Sequence, residues 1–501
     1  MTGKVPTIGR GALSWDDVRR LMQAGPALRL SEEGRRALAA GQRFLQQKLR
    51  EGQPIYGINT GFGKLCNVRV DDEQLTALQH NLLRSHAVGA GAATDPGVVR
   101  LMLALKAHGL THPYSGVRPE VVERLLWFYN ENILPMVPEV GSLGASGDLA
   151  PLAHLALPLI GEGMVLDGGR RERAADVLAR RGLEPLTLAP KEGLALINGT
   201  QFMTAHGARA LAAVERLFGR FLRVAAWELE AYDGLPSPFT PALNRLRKGA
   251  HQQAVAERFY AWVQQSPLVM SEPKAHVQDP YSFRCIPQVY GAVRETIAHF
   301  KAVLMDEINS VTDNPHLLPE AGRILSGGNF HGQRLAMAAD FLAQGLYQLS
   351  AMAERRMYQL IGGERGLPPF LTEAPGLHSG MMIVQYTTAA LVNRLRQLSF
   401  PVSNHSLPTS LGQEDHVSMG GNAVVRLHRM TAHLEEQLAL QVLVVVQALR
   451  FRPVERLSAA ARRLLTELAD VVPPPSEDAP FGEVARRIRS WMADDPKVFR
   501  M

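Results

Sequence analysis

Long runs of helical periodicity constrain this chain most. Asn422–Phe451 carries Leu438, Leu440 and Val442–Val446 and is apolar nearly all round. A helix of that kind has no face for water, so it is predicted to lie buried, inside the subunit or between subunits. Gly199–Ala231, Val289–Ser310, Arg334–Ile361 and Met381–Leu398 alternate apolar and charged faces at the same spacing. Several exceed the roughly 20 residues usual for globular helices. Long striped helices joined by Gly/Pro loops predict a mainly α fold, an elongated bundle. The N-terminal region is mixed and loop-rich. There, Thr7–Trp15 and Pro54–Gly63 read as short strands or loops, with a helix over Glu32–Arg50 between them. Val117–Asn132 reads as an amphipathic helix opened by Pro119. Strand signals are few after residue 70, and no βαβ alternation appears. The expected division is an N-terminal region (1–200), a central long-helix bundle (201–451) and a C-terminal helical segment (452–501). Val471–Ser476 reads as a linker inside the last of these.

Composition removes whole classes of function. Of 501 residues, 46% are hydrophobic and 20% charged, an ordinary globular mix. Lys+Arg 54 minus Asp+Glu 48 leaves +6, spread without a basic block, so no nucleic-acid partner is expected. Cys66 and Cys285 are too few for a disulfide framework or a Cys-rich zinc site, which fits a reducing compartment. Met1–Asp17 lacks an apolar run of signal-peptide length. Leu149–Ile160 is interrupted by Pro151, His154 and Pro158, and falls short of the roughly 18–20 residues a bilayer span needs. The expectation is a cytoplasmic protein with no membrane partner. There is no phosphate-binding G-x-x-x-x-G-K-[ST] and no H-E-x-x-H, and Gly161-Glu-Gly163 lacks the third glycine of a dinucleotide fingerprint. His108 and His112 stand four apart, but Gly109 and Pro113 are expected to disturb that stretch, and no metal is expected.

The informative segment is Gly141-Ser-Leu-Gly-Ala-Ser-Gly-Asp148, where glycines and small residues crowd together before an apolar run. Its ordinary reading is a loop with Asp148 capping a helix. A second reading is chemical. At Ala145-Ser146-Gly147 the amide nitrogen of Gly147 attacks the carbonyl of Ala145, a bend that only glycine is unhindered enough to make. Dehydration, with loss of the Ser146 hydroxyl, leaves a methylidene on a five-membered imidazolone. That group is a strong electrophile, which no ordinary side chain is.

Further segments stand in a fixed order around this loop. They are Ile55-Tyr-Gly-Ile-Asn-Thr-Gly-Phe-Gly63, Arg84-Ser-His86, Lys191-Glu-Gly-Leu-Ala-Leu-Ile-Asn-Gly-Thr-Gln201 and Val277-Gln-Asp-Pro-Tyr-Ser-Phe-Arg-Cys285. Ser310-Val-Thr-Asp-Asn-Pro315, Gly327-Gly-Asn-Phe-His331 and Gln413-Glu-Asp-His-Val-Ser-Met419 follow. Together they cover roughly residues 50–425, and the chain resembles the aromatic amino acid lyase family, in particular its histidine-specific branch. The resemblance implies an electrophilic 4-methylidene-imidazol-5-one (MIO) formed autocatalytically from Ala145, Ser146 and Gly147. It also implies a substrate amine that adds to the methylidene, and a base that removes the β-proton. On histidine the product would be urocanate, the first step of histidine degradation. The family further implies a homotetramer whose sites combine residues from three chains.

Matched residue by residue, the resemblance assigns Tyr56 as the catalytic base. A free tyrosine has a pKa of about 10, so this role needs either a lowered pKa or a well-oriented proton path. Arg284 matches the carboxylate anchor, where a planar fork pairs bidentately. Asn198 and Gln278 match positions that hold the amine, the carboxylate or the ring oxygen of the cofactor. Tyr281 shares a face with Arg284 if that stretch is helical. Phe330 matches the aromatic residue beside the cofactor, and Met382 is a candidate for the ring pocket. Substrate choice rests on Glu414 and His86, polar partners for an imidazole. Family members acting on phenylalanine usually carry an uncharged amide where Glu414 stands, and Asn59 is the form found in the histidine branch. Asn393-Arg-Leu-Arg396 and Val402-Ser-Asn-His405 depart from the family pattern and are expected near the site mouth. Three reactions therefore stay open: ammonia elimination from histidine, a histidine 2,3-aminomutase, and a phenylalanine or tyrosine lyase.

Overall fold

The computed structural model describes residues 7–9, 11–23, 27–494 and 496–500. They are mainly helical, and the expected long helices form as Gln201–Ala231, Ile286–Ile308, Gln333–Ile361, Met382–Leu398 and Gly420–Arg450. The chain divides into two compact units. The first comprises residues 1–212, 300–340 and 401–426, and the second residues 213–299, 341–400 and 427–501.

In the second unit Leu438, Leu440 and Val442–Val446 are buried within the single chain, as an all-round apolar helix requires. Charge is buried beside them. The Arg356 guanidinium pairs with Glu228, and its Nη2 donates to the Tyr290 hydroxyl at 2.7 Å. Gln441 Nε2 donates to the other Glu228 oxygen at 3.2 Å. The buried Arg356 and Glu228 charges thus each regain partners, without which their burial would cost several kcal/mol.

The first unit carries Glu32–Arg50, Leu75–His86, Pro96–Leu110, Pro119–Asn130, Leu149–Ala156 and Glu192–Ile197 as helices. Its strands are short. Ala90–Ala93 pairs antiparallel with Pro138–Val140, and Leu134–Pro135, Met164–Asp167 and Arg170–Arg173 form a three-stranded sheet. Pro138–Val140 ends where the Gly141–Gly147 loop begins, so the paired strand fixes one end of that loop.

Two local expectations change. Thr7–Trp15 was expected to be strand or loop throughout. Thr7–Ile8 is a strand, but Trp15 opens the helix Trp15–Leu21, because Ser14 and Asp17 form a reciprocal capping box. Arg10, within that stretch, lies outside the described residues. Gly109 does not disturb its segment and sits inside the helix Pro96–Leu110. Val98–Ala107 is almost wholly buried there, and that packing outweighs the roughly 1 kcal/mol cost of a helical glycine. The His108 and His112 rings lie 6.1 Å apart, edge to face. Among the described residues no group of three His, Cys, Asp or Glu is placed to hold a metal ion. Among them, too, no helix is long and apolar enough to cross a membrane.

Candidate active site

The Ala145-Ser146-Gly147 loop is clamped from both sides. On one side Gly147 pairs with Gly199, and the Asp148 N–H donates to the Gly199 carbonyl at 2.7 Å. A Cβ on Gly147, whose φ is +74°, would stand 2.2 Å from that carbonyl oxygen, so no other residue fits. On the other side the Ser418 hydroxyl donates to the Gly144 carbonyl at 2.8 Å, and Gly332 N–H reaches the same oxygen at 3.1 Å.

Asp148 stands at the start of the helix Leu149–Ala156 but does not cap it with its side chain. Its carboxylate instead accepts from the Ser142 hydroxyl at 2.6 Å and from the Met203 N–H at 2.9 Å. It therefore sits against the first turn of Gln201–Ala231, where unpaired N–H groups favour negative charge. Burial nevertheless pushes its pKa up to about 7. Lys106, equally buried, donates from Nζ to the Asn198 carbonyl at 2.6 Å and to Gln201 Oε1 at 3.2 Å, and burial lowers it to about 7. Nearby, Lys191 and Asp313 form a buried ion pair at 2.7 Å, with the Ser115 hydroxyl donating to the second Asp313 oxygen at 3.0 Å.

Above this floor opens a cavity of about 950 Å³. Tyr56, His86, Ala145, Ser146, Asn198, Phe330 and Glu414 all line it. Asn198 Nδ2 donates to the Ser146 carbonyl at 2.6 Å, while its Oδ1 is buried with no hydrogen-bond partner among the described residues. The Ser146 hydroxyl donates to Glu414 Oε1 at 2.7 Å. Glu414 Oε2 accepts from the Thr409 hydroxyl at 2.8 Å, and a backbone bridge ties Thr409 to Glu414. His86 Nδ1–H donates to the Leu82 carbonyl at 2.9 Å, which leaves Nε2 for the cavity. Burial lowers the His86 pKa, so the ring stays neutral and Nε2 is an acceptor.

Tyr56 is half-buried, and its hydroxyl accepts the Gly63 N–H at 3.3 Å. Burial raises its pKa above 10, and the nearby Cys66 and Glu414 add to the rise. Of the two routes open to a tyrosine base, a lowered pKa is absent here and an oriented path is left. Asn59 is buried and shapes this loop, accepting from the Ile55 N–H at 2.6 Å and donating to the Gln53 carbonyl at 3.0 Å.

Gln278, Tyr281, Arg284 and Met382 belong to the second unit and are not among the residues lining the cavity. Tyr281–Arg284 is a helical turn, and the Arg284 guanidinium lies 4.3 Å from the Tyr281 ring centre. With its amide oxygen turned toward the fork, Gln278 accepts from Arg284 Nη1 at 2.7 Å and Nη2 at 2.8 Å. Tyr281 is 70% exposed, so this cluster presents an aromatic face and a cation outward. Arg394, Arg396, Asn404 and His405 are exposed and are not among the residues that line the cavity.

Sequence reasoning passed over Lys106, Thr409, Ser142 and Ser418. One signal was available: Lys106 is the lone charge in the apolar run Leu101–Ala107, which marks a buried, partnered charge.

Known proteins agree with this architecture. Residues 13–470 match the aromatic amino acid lyase family. The histidine ammonia-lyase of Symbiobacterium thermophilum is 44% identical over 467 residues, 93% of this chain and 92% of that one. The structure of histidine ammonia-lyase from Trypanosoma cruzi superposes with a TM-score of 0.89 at 35% identity, covering 99% of this chain and 94% of that one. Tyrosine aminomutase from Streptomyces globisporus superposes with a TM-score of 0.91 at 34% identity, covering 99% and 97%. Fold and relatives define a carbon–nitrogen lyase. The chain belongs to the aromatic amino acid lyase family.

Proposed function

We propose that this enzyme eliminates ammonia from L-histidine to give trans-urocanate, using an MIO group made from Ala145, Ser146 and Gly147. The observation that carries the substrate assignment is the pair of acceptors, Glu414 and His86 Nε2, in the cavity that holds Ser146. A carboxylate facing a hydrocarbon ring loses hydration and gains nothing. Facing an imidazole N–H it gains a charge-assisted hydrogen bond worth roughly 1.5–3 kcal/mol.

The residues present fit the MIO group. Gly147 has the positive φ and the lack of Cβ that a ring closure there needs, and Asn198 Nδ2 already donates to the Ser146 carbonyl, which becomes the ring oxygen. When formed, the group supplies an electrophilic carbon that withdraws electrons from the substrate amine. The chain's own side chains do the rest. Tyr56, as its phenolate, takes the β-proton, and the Gly63 N–H holds its oxygen and favours that charged form before the transfer. Asn198 polarises the ring carbonyl, and Phe330 packs beside it. Arg284 anchors the substrate carboxylate. Its cluster with Gln278 and Tyr281, together with Met382, completes the site from neighbouring copies in a homotetramer. The setting proposed is cytoplasmic, at the start of histidine degradation.

The likeness to a tyrosine aminomutase supports a second outcome, in which ammonia returns to Cβ. The experiment is separate incubation with L-histidine, L-phenylalanine and L-tyrosine, with products resolved by chromatography. Urocanate as the main product is expected. β-Histidine in its place makes the enzyme an aminomutase, and faster formation of cinnamate or coumarate overturns the role of Glu414.

A further inference from the structure

The geometry points to a second task for Glu414: it is the proton donor that drives loss of the Ser146 hydroxyl when the MIO group is made. This rests on the MIO reading above and adds a residue to it.

Loss of a hydroxide from a β-carbon is slow unless the oxygen leaves as water, so a proton must reach Ser146 Oγ as the C–O bond breaks. Glu414 is built for that. Its Oε1 lies 2.7 Å from Ser146 Oγ, a hydrogen-bond line along which a proton travels either way. The carboxyl is aimed there, because Thr409 holds the other oxygen at 2.8 Å and the Thr409–Glu414 backbone bridge fixes its base. Ser146 and Glu414 both open onto the cavity, which gives the departing water somewhere to go.

The steps balance. Gly147 N bonds to the Ala145 carbonyl carbon, and that carbonyl oxygen leaves as the first water, carrying the hydrogens of the Gly147 and Ser146 N–H groups as a C=N bond forms between Ala145 C and Ser146 N. In the second step the Ser146 Cα–H and Cβ–Oγ bonds break and Cα=Cβ forms. Oγ departs with its own hydrogen and one proton handed over by Glu414. That proton is the one lost from Cα, which reaches the Glu414 carboxylate through water in the cavity, so Glu414 ends the step as it began. No oxidant or reductant is needed. Maturation then changes what Glu414 can do. The hydroxyl that occupied Oε1 is gone, Thr409 still holds Oε2, and Oε1 is left as an acceptor for a substrate N–H. The acceptor proposed to recognise the imidazole is therefore uncovered only by making the cofactor.

The test is intact mass, with peptide mapping across residues 145–147, followed over time after synthesis. Wild type is expected to be short by two waters. Glu414→Gln keeps the shape and an acceptor oxygen but has no acid proton, so it should accumulate protein short by one water. Its second loss should be roughly 10²–10⁴-fold slower. Thr409→Val, which loosens the carboxyl without removing it, should slow the same step less. Melting curves check that each variant folds, and Thr409→Val decides if Glu414→Gln does not. Loss of two waters at the wild-type rate in the folded variants overturns the role of Glu414 alone. A full unmodified mass in active wild type overturns the MIO reading itself.

Discussion

Gly147 lies so close to Gly199 that a Cβ on Gly147 would sit 2.2 Å from the Gly199 carbonyl oxygen. Real Cβ atoms do not approach oxygen so closely, and a φ of +74° further disfavours any side chain. Gly147→Ala should therefore displace the loop from Gly199 and stop ring closure. Mass spectrometry should find the peptide unmodified and turnover abolished. Normal loss of two waters in this variant would separate the Gly147–Gly199 contact from cofactor formation.

Tyr56→Phe tests the base. Among the described residues the Tyr56 hydroxyl bonds to the Gly63 N–H alone, so its removal should leave the Ala145–Gly147 loop and its mass unchanged. Turnover should fall roughly 10²–10⁴-fold, the usual worth of a general base. Since burial raises the phenol above 10, the alkaline dependence of kcat/KM that belongs to Tyr56 should lie above that value and vanish in the variant.

Arg284→Lys keeps the charge and loses the fork that meets Gln278. KM for histidine should rise by about tenfold or more, and kcat should fall as well if the anchor orients Cβ toward the base. Steady-state kinetics decide it. Near-normal constants remove Arg284 from carboxylate binding.

His86 gives a pH prediction with a definite sign. Its folded pKa is lowered below the ordinary 6.5 by burial, against the Leu82 hydrogen bond and the Glu414 charge that raise it. A lowered value means the neutral form, and with it the Nε2 acceptor, is fully present above pH 6.5 and is lost as pH falls through the folded pKa. The His86 contribution to KM for histidine should be flat above pH 6.5 and weaken only below it. His86→Leu should erode the preference for histidine over phenylalanine less than loss of Glu414 does. A ring titrating above 6.5 by NMR would contradict the assignment.

The long helices were legible because their signal is local. Apolar spacing within one segment placed Gln201–Ala231 and Gln333–Ile361 within two residues of their observed starts. The site loop was legible through its small residues and ordered neighbours. Partners distant in sequence were not. Asp148 stands where a capping residue belongs, yet serves Met203 on another helix. Lys106 and Ser418 matter only because folding brings them to the Asn198 and Gly144 carbonyls. Gly109 misled because propensity was weighed without the burial that overrides it.

The central claim is that this site releases ammonia from histidine. The measurement that tests it most directly is a progress curve on L-histidine with ammonia and remaining histidine quantified together. One ammonia released, and one urocanate formed, per histidine consumed is the predicted result. Histidine consumed without ammonia, with β-histidine accumulating, would contradict it.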